Sequence, residues 1–377
     1  MAIKISSNFD SGNITCIDCA NPGDIRLAID KDANSDFFQW FHFRLTGAKG
    51  QDCLLKLTNA GDASYKAGWR DYRAVATYDR QTWFRVDTDF ADKTLTIRHR
   101  PEHDSVYYSY FAPYSMERHA DLIAGSLASP RAALIVLGET LDGQDLDMLR
   151  IGTPRDGKRV CWTIARQHPG ESMAEWWMEG FIGRLLDEAD PVARALLDKA
   201  VFYVVPNMNP DGSRRGHLRT NAAGANLNRE WAEPTPEKSP EVHLVRAMMH
   251  QTGVDFCLDV HGDEALPYNF IAGAEGIPSL TEKQTALQDA YMTALRRANP
   301  DFQTEHGYPK NKPGTANLAM CTNYVAETFG CLAMTLEQPF KDNADAPNPF
   351  YGWSPERCIK LGAAGLDALY AVVGDLR

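Results

Sequence analysis

Residues 161–186, CWTIARQHPGESMAEWWMEGFIGRLL, join a strand-like run to an amphipathic helix within one short stretch. The first residues are mostly apolar, with aromatic and β-branched types among them. The later apolar residues follow helical spacing: Ala174, Trp177, Met178, Phe181, Ile182, Leu185 and Leu186. His168 and Glu171 lie at the joint, and Pro169 suits the start of a helix. The stretch therefore predicts a buried strand, a turn with His168, and a helix with Glu171 in its first turn.

The chain after residue 115 repeats this alternation of strands and helices. Short apolar runs occur in RAALIVLG, KAVFYVVPNM, GVDFCLDVHG and LAMTLEQPF, and helical periods lie between them. Such alternation is typical of a parallel or mixed sheet that helices cover on both faces. We therefore predict that residues 116–377 form an α/β domain with a mixed sheet flanked by helices.

The first 115 residues have a different pattern. Segments such as QDCLLKLTNAG and KTLTIRHRPEHDSVYYSYF are rich in strand-forming residues and alternate loosely between apolar and polar types. Antiparallel sheets with one solvated face show this alternation. Residues 1–115 are therefore predicted to form an antiparallel β-sandwich domain, and we expect most of its aromatic side chains in the core.

Composition and charge narrow the classes of function. The 377 residues are 44% hydrophobic and 24% charged, as in ordinary globular proteins, and a net charge of -11 argues against a nucleic-acid partner. No run approaches the roughly 18 apolar residues of a membrane span, and the N-terminus lacks a secretory pattern. The eight scattered cysteines fit reduced thiols. We therefore expect a cytoplasmic protein with no membrane partner.

His168 and Glu171 are candidate metal ligands, because a strand end allows an imidazole and a carboxylate to converge on one cation. The spacing alone is a weak signal, since it often only places a carboxylate near the positive end of a helix. A catalytic zinc needs a third protein ligand. His261, in FCLDVHGDE, is a candidate at another strand end, although a histidine there can also simply close a loop. Asp259 is placed to orient its ring.

Two other stretches offer substrate-binding and acid–base groups. Arg219, Asn228 and Arg229 follow a buried strand in loop-like sequence. Arginine favours two-point recognition of carboxylates, although most arginines in loops are only solvated. Glu337 ends the apolar strand in CLAMTLEQPF, where burial would raise its pKa toward the range of a general base.

The order of these motifs resembles that of the zinc metallocarboxypeptidases of the carboxypeptidase A superfamily, above all their cytosolic carboxypeptidase branch. HPGE, NMNPDG, GANLNREW, DVHGD and TLEQPF occur in the family's order, and the aromatic N-terminal part resembles the β-sandwich domain of that branch. The resemblance implies a zinc carboxypeptidase acting on peptide or protein C-termini. It implies one zinc ion per chain, held by His168, Glu171 and His261.

The same resemblance assigns the remaining site residues. Glu337 matches the general base and acid, and Arg219 matches the arginine that polarises the scissile carbonyl and stabilises its oxyanion. Asn228 and Arg229 match the pair that binds the terminal carboxylate of the substrate. Such a clamp makes the enzyme an exopeptidase, because an internal peptide bond has no free carboxylate.

The resemblance is weaker where specificity is set. Digestive members have a mobile tyrosine before the general base, and here Tyr308 and Tyr324 are both candidates. Asn317 stands where members that trim acidic tails have an arginine. Other basic residues lie close by in sequence: Lys310, Lys312, Arg214 and Arg215. The preferred C-terminal residue therefore stays open, as do the oligomeric state and the role of the N-terminal domain.

Two other functions fit part of the pattern. A zinc amidohydrolase acting on N-acyl amino acids shares the metal pattern, but not the full NLNR clamp after a β-domain. A non-catalytic binding protein would keep the pocket without the chemistry. Retention of Glu337 beside all three candidate ligands favours an enzyme.

Overall fold

The computed structural model describes residues 2–376 and divides them into a β-rich N-terminal part and an α/β C-terminal part. The N-terminal strands are β1 (Lys4–Ser6), β2 (Thr15–Asp18), β3 (Ile25–Ala28), β4 (His42–Thr46), β5 (Cys53–Leu57), β6 (Val75–Thr77), β7 (Phe84–Arg85), β8 (Asp87–Ala91), β9 (Thr94–His99) and β10 (Ser105–Ser109).

The C-terminal part alternates strands and helices as the sequence predicts. Its strands are β11 (Ala132–Glu139), β12 (Asp145–Ile151), β13 (Arg159–Ala165), β14 (Ala200–Val205), β15 (Phe256–Val260), β16 (Phe270–Ala272) and β17 (Leu332–Glu337). Its helices are α1 (Met116–Ser126), α2 (Met173–Leu186), α3 (Pro191–Lys199), α4 (Pro210–Arg215), α5 (Pro240–Thr252), α6 (Glu282–Ala298), α7 (Cys321–Phe329) and α8 (Pro355–Val372).

The N-terminal strands form two sheets of five strands, in the orders β1-β4-β10-β6-β7 and β2-β3-β5-β9-β8. Alternate residues such as Phe43 on β4 and Leu55 on β5 are buried in one apolar core that both sheets share. His99 of one sheet and Tyr108 of the other meet through Nδ1 and Oη at 2.8 Å. The predicted antiparallel sandwich is confirmed, with one parallel pair, β3 and β5.

The C-terminal strands form one mixed sheet in the order β11-β12-β14-β13-β15-β17-β16. The four central strands β14, β13, β15 and β17 are parallel, and the strands toward both edges are antiparallel. Cys161 on β13 packs into a core with α2, α6 and α8, whereas Trp162 packs into a second core with α5 and α7. The predicted mixed sheet with helices on both faces is confirmed.

Helices α2 and α8 pack closely because small residues face each other across the contact. A Cβ atom on Gly180 would lie 1.9 Å from the carbonyl oxygen of Ile359, so only glycine allows this approach. Gly183, on the same helix, has open space around its Cα. No helix within residues 2–376 is long and apolar enough to cross a membrane.

The turn after β13 differs from the sequence prediction. Helix α2 begins at Met173, so Glu171 and Pro169 lie in the turn before the helix and not in its first turn. The backbone of Arg166 has a φ of 60°, in the left-handed region, which interrupts the strand geometry directly after β13. The amide of Gly170 then donates to the carbonyl of Leu218 at 2.9 Å, which holds this turn against a neighbouring loop instead of in a helix.

The N-terminal sandwich packs directly on the C-terminal part. Tyr110 stacks on Phe340 with 4.5 Å between ring centroids. Ser172 Oγ and Trp176 Nε1 both donate to the carbonyl oxygen of Ala112, at 2.9 and 3.0 Å. These contacts bring the sandwich to the edge of the sheet where the parallel strands end.

Candidate active site

The three predicted metal ligands converge at the carboxyl ends of β13 and β15. His168 Nδ1 lies 2.7 Å from one carboxylate oxygen of Glu171, and His261 Nδ1 lies 2.8 Å from the other. The two Nδ1 atoms are 3.2 Å apart. All three side chains are at most 4% exposed. Two imidazoles and a carboxylate, far apart in sequence, therefore share one buried point.

The charge states of these groups suit a divalent cation. Burial and the nearby Arg219 lower the pKa of His168 to about 4, so its ring is neutral. Burial opposes ionisation of Glu171, but His168 and His261 hold its pKa below the usual range. Burial also works against a charged His261, yet Asp259 and Glu171 raise its pKa well above normal. Two imidazoles and a carboxylate form a donor set that fits zinc, and the carboxylates that raise the pKa of His261 would also stabilise a metal cation beside its ring.

Outer hydrogen bonds fix the orientation of both imidazoles. Asp259 Oδ2 lies 2.8 Å from His261 Nε2 and accepts a hydrogen bond from Gln167 Nε2 at 2.6 Å. His168 Nε2 lies 3.0 Å from Asn226 Oδ1. Because both Nε2 atoms have partners, both Nδ1 atoms face the shared point. Asp259 was predicted to orient the ring, whereas Gln167 and Asn226 were not predicted.

One cavity of about 560 Å³, which we call the metal cavity, is lined by every predicted site residue. The members are His168, Glu171, Arg219, Asn228, Arg229, His261 and Glu337. Residues 64–68 of the N-terminal sandwich line the opposite wall. The cavity is therefore built from both parts of the chain.

Glu337 is a buried carboxyl group suited to proton transfer. It ends β17, is 7% exposed, and its Oε2 has no hydrogen-bond partner within residues 2–376. Burial raises its pKa well above the ordinary range; His261 opposes this shift and Glu171 adds to it. A carboxyl group in such surroundings holds a proton more readily than a solvated glutamate.

Asp32 of the N-terminal sandwich holds the backbone on which Arg219 lies. Its Oδ2 accepts hydrogen bonds from the amides of Arg219 and Thr220 at 2.8 and 2.9 Å and from the Thr220 hydroxyl at 3.0 Å. Its Oδ1 accepts from the amide of Leu218 at 2.6 Å. Asp32 is only 2% exposed. No local sequence signal points to Asp32, because Asp32 and Arg219 are 187 positions apart.

Aromatic rings of the same sandwich hold the Arg219 guanidinium. Its Cζ lies 5.2 Å from the ring centroid of Tyr65 and 5.7 Å from that of Phe37. The buried Nε of Arg219 has no hydrogen-bond partner among the described residues. The sandwich therefore positions an arginine that lines the cavity and has one buried donor without a partner among the described residues.

Asn228 and Arg229 lie on a short turn at the same cavity. Asn228 Oδ1 accepts from the amide of Cys321 at 2.9 Å, and Arg229 Nη1 donates to the carbonyl of Asn228 at 2.6 Å. Burial and the charge of Arg219 lower the pKa of Arg229. Two guanidinium groups in one half-enclosed space make this wall strongly attractive to a carboxylate.

The two candidate tyrosines differ in position. Tyr308 lines the metal cavity, and its hydroxyl donates to Asp263 Oδ2 at 2.6 Å. The hydroxyl of Tyr324 lies 2.9 Å from His250 Nε2, and Tyr324 is not among the residues that line the cavity. Of the two, Tyr308 is the one in reach of a bound substrate.

The basic residues considered for specificity do not line the metal cavity. Arg215 pairs with Asp142 at 2.7 Å on another surface, beside Arg214. Asn317 Oδ1 accepts from the amide of Ala319 at 3.0 Å. The other two basic residues, Lys310 and Lys312, are also absent from the residues that line the metal cavity.

Glu264 also lines the metal cavity and was missed by the sequence analysis. Burial, with the charge of Glu171, raises its pKa to about 8. A signal was present, because Glu264 closely follows His261 in the HGDE run. Local sequence does not reveal, however, that this side chain is buried beside Glu171.

Comparison with known proteins agrees with this geometry. Residues 5–111 match the cytosolic carboxypeptidase N-terminal domain, and residues 123–356 match the zinc carboxypeptidase family. The chain belongs to the zinc carboxypeptidase family. The predicted family is thus confirmed, and it places the chain among the peptide-bond hydrolases.

Solved structures of metallocarboxypeptidases match almost the whole chain. One from Burkholderia cenocepacia is 50% identical, with a TM-score of 0.96 over 100% of both chains. One from Pseudomonas aeruginosa, in complex with (2-guanidinoethylmercapto)succinic acid, is 46% identical, with a TM-score of 0.96 over 99% of this chain and 100% of that one. Cytosolic carboxypeptidase 1 of Gallus gallus is 25% identical over 81% of this chain, which spans 28% of the length of that relative.

Proposed function

We propose that this zinc carboxypeptidase removes the C-terminal residue of peptides or proteins by hydrolysis at the metal cavity. The observation that carries the proposal is the convergence of His168, Glu171 and His261 beside a buried, unpartnered Glu337 oxygen. A non-catalytic binding protein has no need for a carboxyl group in that position, since burial without a partner is costly.

The proposed metal ligands are His168, Glu171 and His261, which hold one zinc ion per chain. Their donor atoms lie within 4.8 Å of one another. Zinc in such a site supplies Lewis acidity, which lowers the pKa of a water molecule there and polarises a carbonyl group.

Glu337 is the proposed general base and acid. Its carboxylate takes a proton from water, whose oxygen attacks the carbonyl carbon of the last peptide bond. The raised pKa lets the carboxyl group keep that proton in the tetrahedral intermediate, and Glu337 transfers it to the amide nitrogen as the C–N bond breaks, so that a neutral amine leaves.

Arg219 is proposed to stabilise the negative charge that develops on the carbonyl oxygen, because its Nε donor has no partner in the cavity. Asn228 and Arg229 are proposed to bind the terminal carboxylate of the substrate, which makes the enzyme an exopeptidase. The succinic acid part of the ligand in the Pseudomonas aeruginosa relative carries carboxylates that would suit this clamp.

Three further assignments belong to this proposal. The division into a sandwich at 1–115 and a catalytic domain at 116–377 is supported by the end of β10 at Ser109 and the start of α1 at Met116. A cytoplasmic location is proposed from the names of the cytosolic relatives. Peptide or protein C-termini are the proposed partners.

Glu337→Gln tests the proposal, with zinc content and peptide hydrolysis measured on the same samples. We expect about one zinc ion per chain in both proteins and a loss of kcat by about 10²–10⁴-fold in the variant, because glutamine cannot accept the proton. Glu237→Gln is the matched control, since Glu237 is exposed. Full activity of Glu337→Gln, or a wild-type protein without zinc, would overturn the proposal.

The same samples separate the amidohydrolase alternative. A set of N-acetyl amino acids is assayed beside peptides that end in the same residues. Release of the terminal amino acid from the peptides supports the carboxypeptidase, whereas cleavage of only the N-acetyl compounds would favour the amidohydrolase.

A further inference from the structure

A second cavity of about 480 Å³ opens directly beside the metal cavity, and we call it the side-chain pocket. The two cavities share Asn228, Tyr308, Met320 and Glu337 in their walls. Given the proposed function, a substrate whose carboxylate meets Asn228 can place its last side chain in this neighbouring space. The side-chain pocket therefore determines which C-terminal residue is accepted.

The wall that the pocket shares with the metal cavity has no charged side chain apart from Glu337. Thr322 of α7 and Thr335 of β17 meet in the pocket through their hydroxyl oxygens at 2.7 Å, and both are buried. The unpartnered, buried Oε2 belongs to Glu337, which also lines this pocket. Because the two hydroxyls pair with each other and Glu337 is the proposed general base, selection of the substrate side chain by charge depends on other residues of the pocket.

Glu275 places a half-buried carboxylate in the side-chain pocket. Its side chain is 21% exposed, and its Oε1 accepts a hydrogen bond from Gln288 Nε2 at 2.9 Å. The ammonium group of Lys310 is 3.9 Å away and 73% exposed, so it neutralises Glu275 only weakly.

Other charged groups at the pocket reinforce this negative character. Asp289 and Glu305 line the pocket as exposed residues, against one lysine, Lys310, and one histidine, His306. An acidic side chain entering the pocket would meet like charges. An apolar side chain would remove water from the Glu275 carboxylate without offering it a positive charge, and desolvation of a charge without such compensation is costly.

We propose that the side-chain pocket binds a cationic side chain, that of a C-terminal lysine or arginine, and that Glu275 is the residue that selects it. The cation would form a charge-assisted hydrogen bond with the carboxylate of Glu275 in a partly desolvated space. Arginine and lysine are thereby preferred over glutamine, which has a similar length but no charge.

Steady-state hydrolysis of peptides that differ only in their last residue tests this inference. The peptides end in arginine, lysine, glutamine, glutamate or leucine, and the zinc-loaded enzyme is used. We expect kcat/KM for arginine to exceed that for glutamine by about 10- to 100-fold, the range of a charge-assisted hydrogen bond. Glu275→Gln should reduce this arginine-to-glutamine ratio by about tenfold or more, and Glu275→Lys should raise the relative rate for glutamate.

Glu282→Gln is the matched control, because Glu282 is exposed on helix α6 and does not line the pocket. A ratio of two rates from one sample does not depend on the fraction of folded enzyme. Equal rates for arginine and glutamine, faster release of glutamate, or an unchanged ratio in Glu275→Gln would overturn this inference alone. No release from any peptide would overturn the proposed function and this inference with it.

Discussion

Replacing Asp32 with asparagine tests whether the N-terminal sandwich positions Arg219 for the reaction. Asp32 is 2% exposed and accepts four hydrogen bonds from residues 218–220. Asparagine keeps one acceptor oxygen and turns an NH₂ group toward a backbone amide that needs an acceptor. A hydrogen bond to a charged group contributes about 1.5–3 kcal/mol, so we expect the free energy of unfolding to fall by about 2–4 kcal/mol.

The kinetic effect distinguishes positioning from general stability. A displacement of Arg219 by about 1 Å would lower kcat by about 10²-fold, because this side chain acts on charge that develops in the transition state. KM should change much less, since Asn228 and Arg229 are not bonded to Asp32. The assay is steady-state peptide hydrolysis at a temperature well below the unfolding transition, with zinc content checked in parallel.

Asp36→Asn is the matched control for Asp32→Asn. The side chain of Asp36 is 95% exposed and pairs only with Lys31, so neither stability nor kcat should change appreciably. A variant Asp32→Asn that loses stability but keeps its kcat would show that Asp32 supports the fold without positioning Arg219. Unchanged stability would refute the hydrogen-bond argument itself.

Three other predictions concern stability. Gly180→Ala should destabilise the protein by several kcal/mol, because the new Cβ would lie 1.9 Å from the Ile359 carbonyl oxygen. Gly183→Ala should stabilise the protein by up to about 1 kcal/mol, because its Cβ would enter open space and alanine favours the helix. Urea unfolding of both variants measures the two changes. Burial raises the pKa of Glu241 to about 7, above its usual 4.5. The unfolded chain therefore loses this proton first, stability falls as pH rises between these values, and Glu241→Gln should remove about 2–3 kcal/mol of the difference between pH 5 and pH 8. Chelation of the metal should lower Tm, and added zinc should restore it, because a metal that binds only the folded protein stabilises it. An unchanged Tm would contradict the prediction that the bound metal stabilises the fold.

Local sequence patterns predict the central sheet well, because five of its seven strands are short apolar runs. KAVFYVVPNM and LAMTLEQPF, for example, become β14 and β17. Strand β12, with the sequence DLDMLRI, was not predicted, because it alternates polar with apolar residues and lacks an apolar run. The parallel pairing of β3 with β5 also has no local signal, since pairing direction depends on the path of the intervening chain.

The turn before α2 shows where local rules fail. Pro169 favours a helix start, yet Arg166 takes a left-handed conformation and its Nη1 donates to Glu175 Oε2 at 2.7 Å and to the Tyr114 carbonyl at 2.8 Å. The Tyr114 carbonyl lies in another part of the chain, and the Glu175 carboxylate lies on α2 itself, so both contacts join residues that are not neighbours in the turn. They override the local preference and delay the helix to Met173.

The candidate site was predictable to the extent that its chemistry lies in motifs. The order of HPGE, NLNR, DVHGD and TLEQPF indicates the residues proposed as ligands, clamp and base, and the structure brings these residues to one cavity. The contributions of Asp32 and Tyr65 were not predictable. They reach Arg219 from a different domain, and only the packing of the sandwich against the sheet makes them part of the cavity.

The most direct test of the account is the release of the last amino acid from two peptides that differ only at the C-terminus. One peptide ends in a free carboxylate and the other in an amide, and both are given to the zinc-loaded protein. The account predicts rapid release from the free acid and release at least about 100-fold slower from the amide, because Asn228 and Arg229 lose their charged partner. Equal rates for the two peptides, or cleavage of neither, would contradict it.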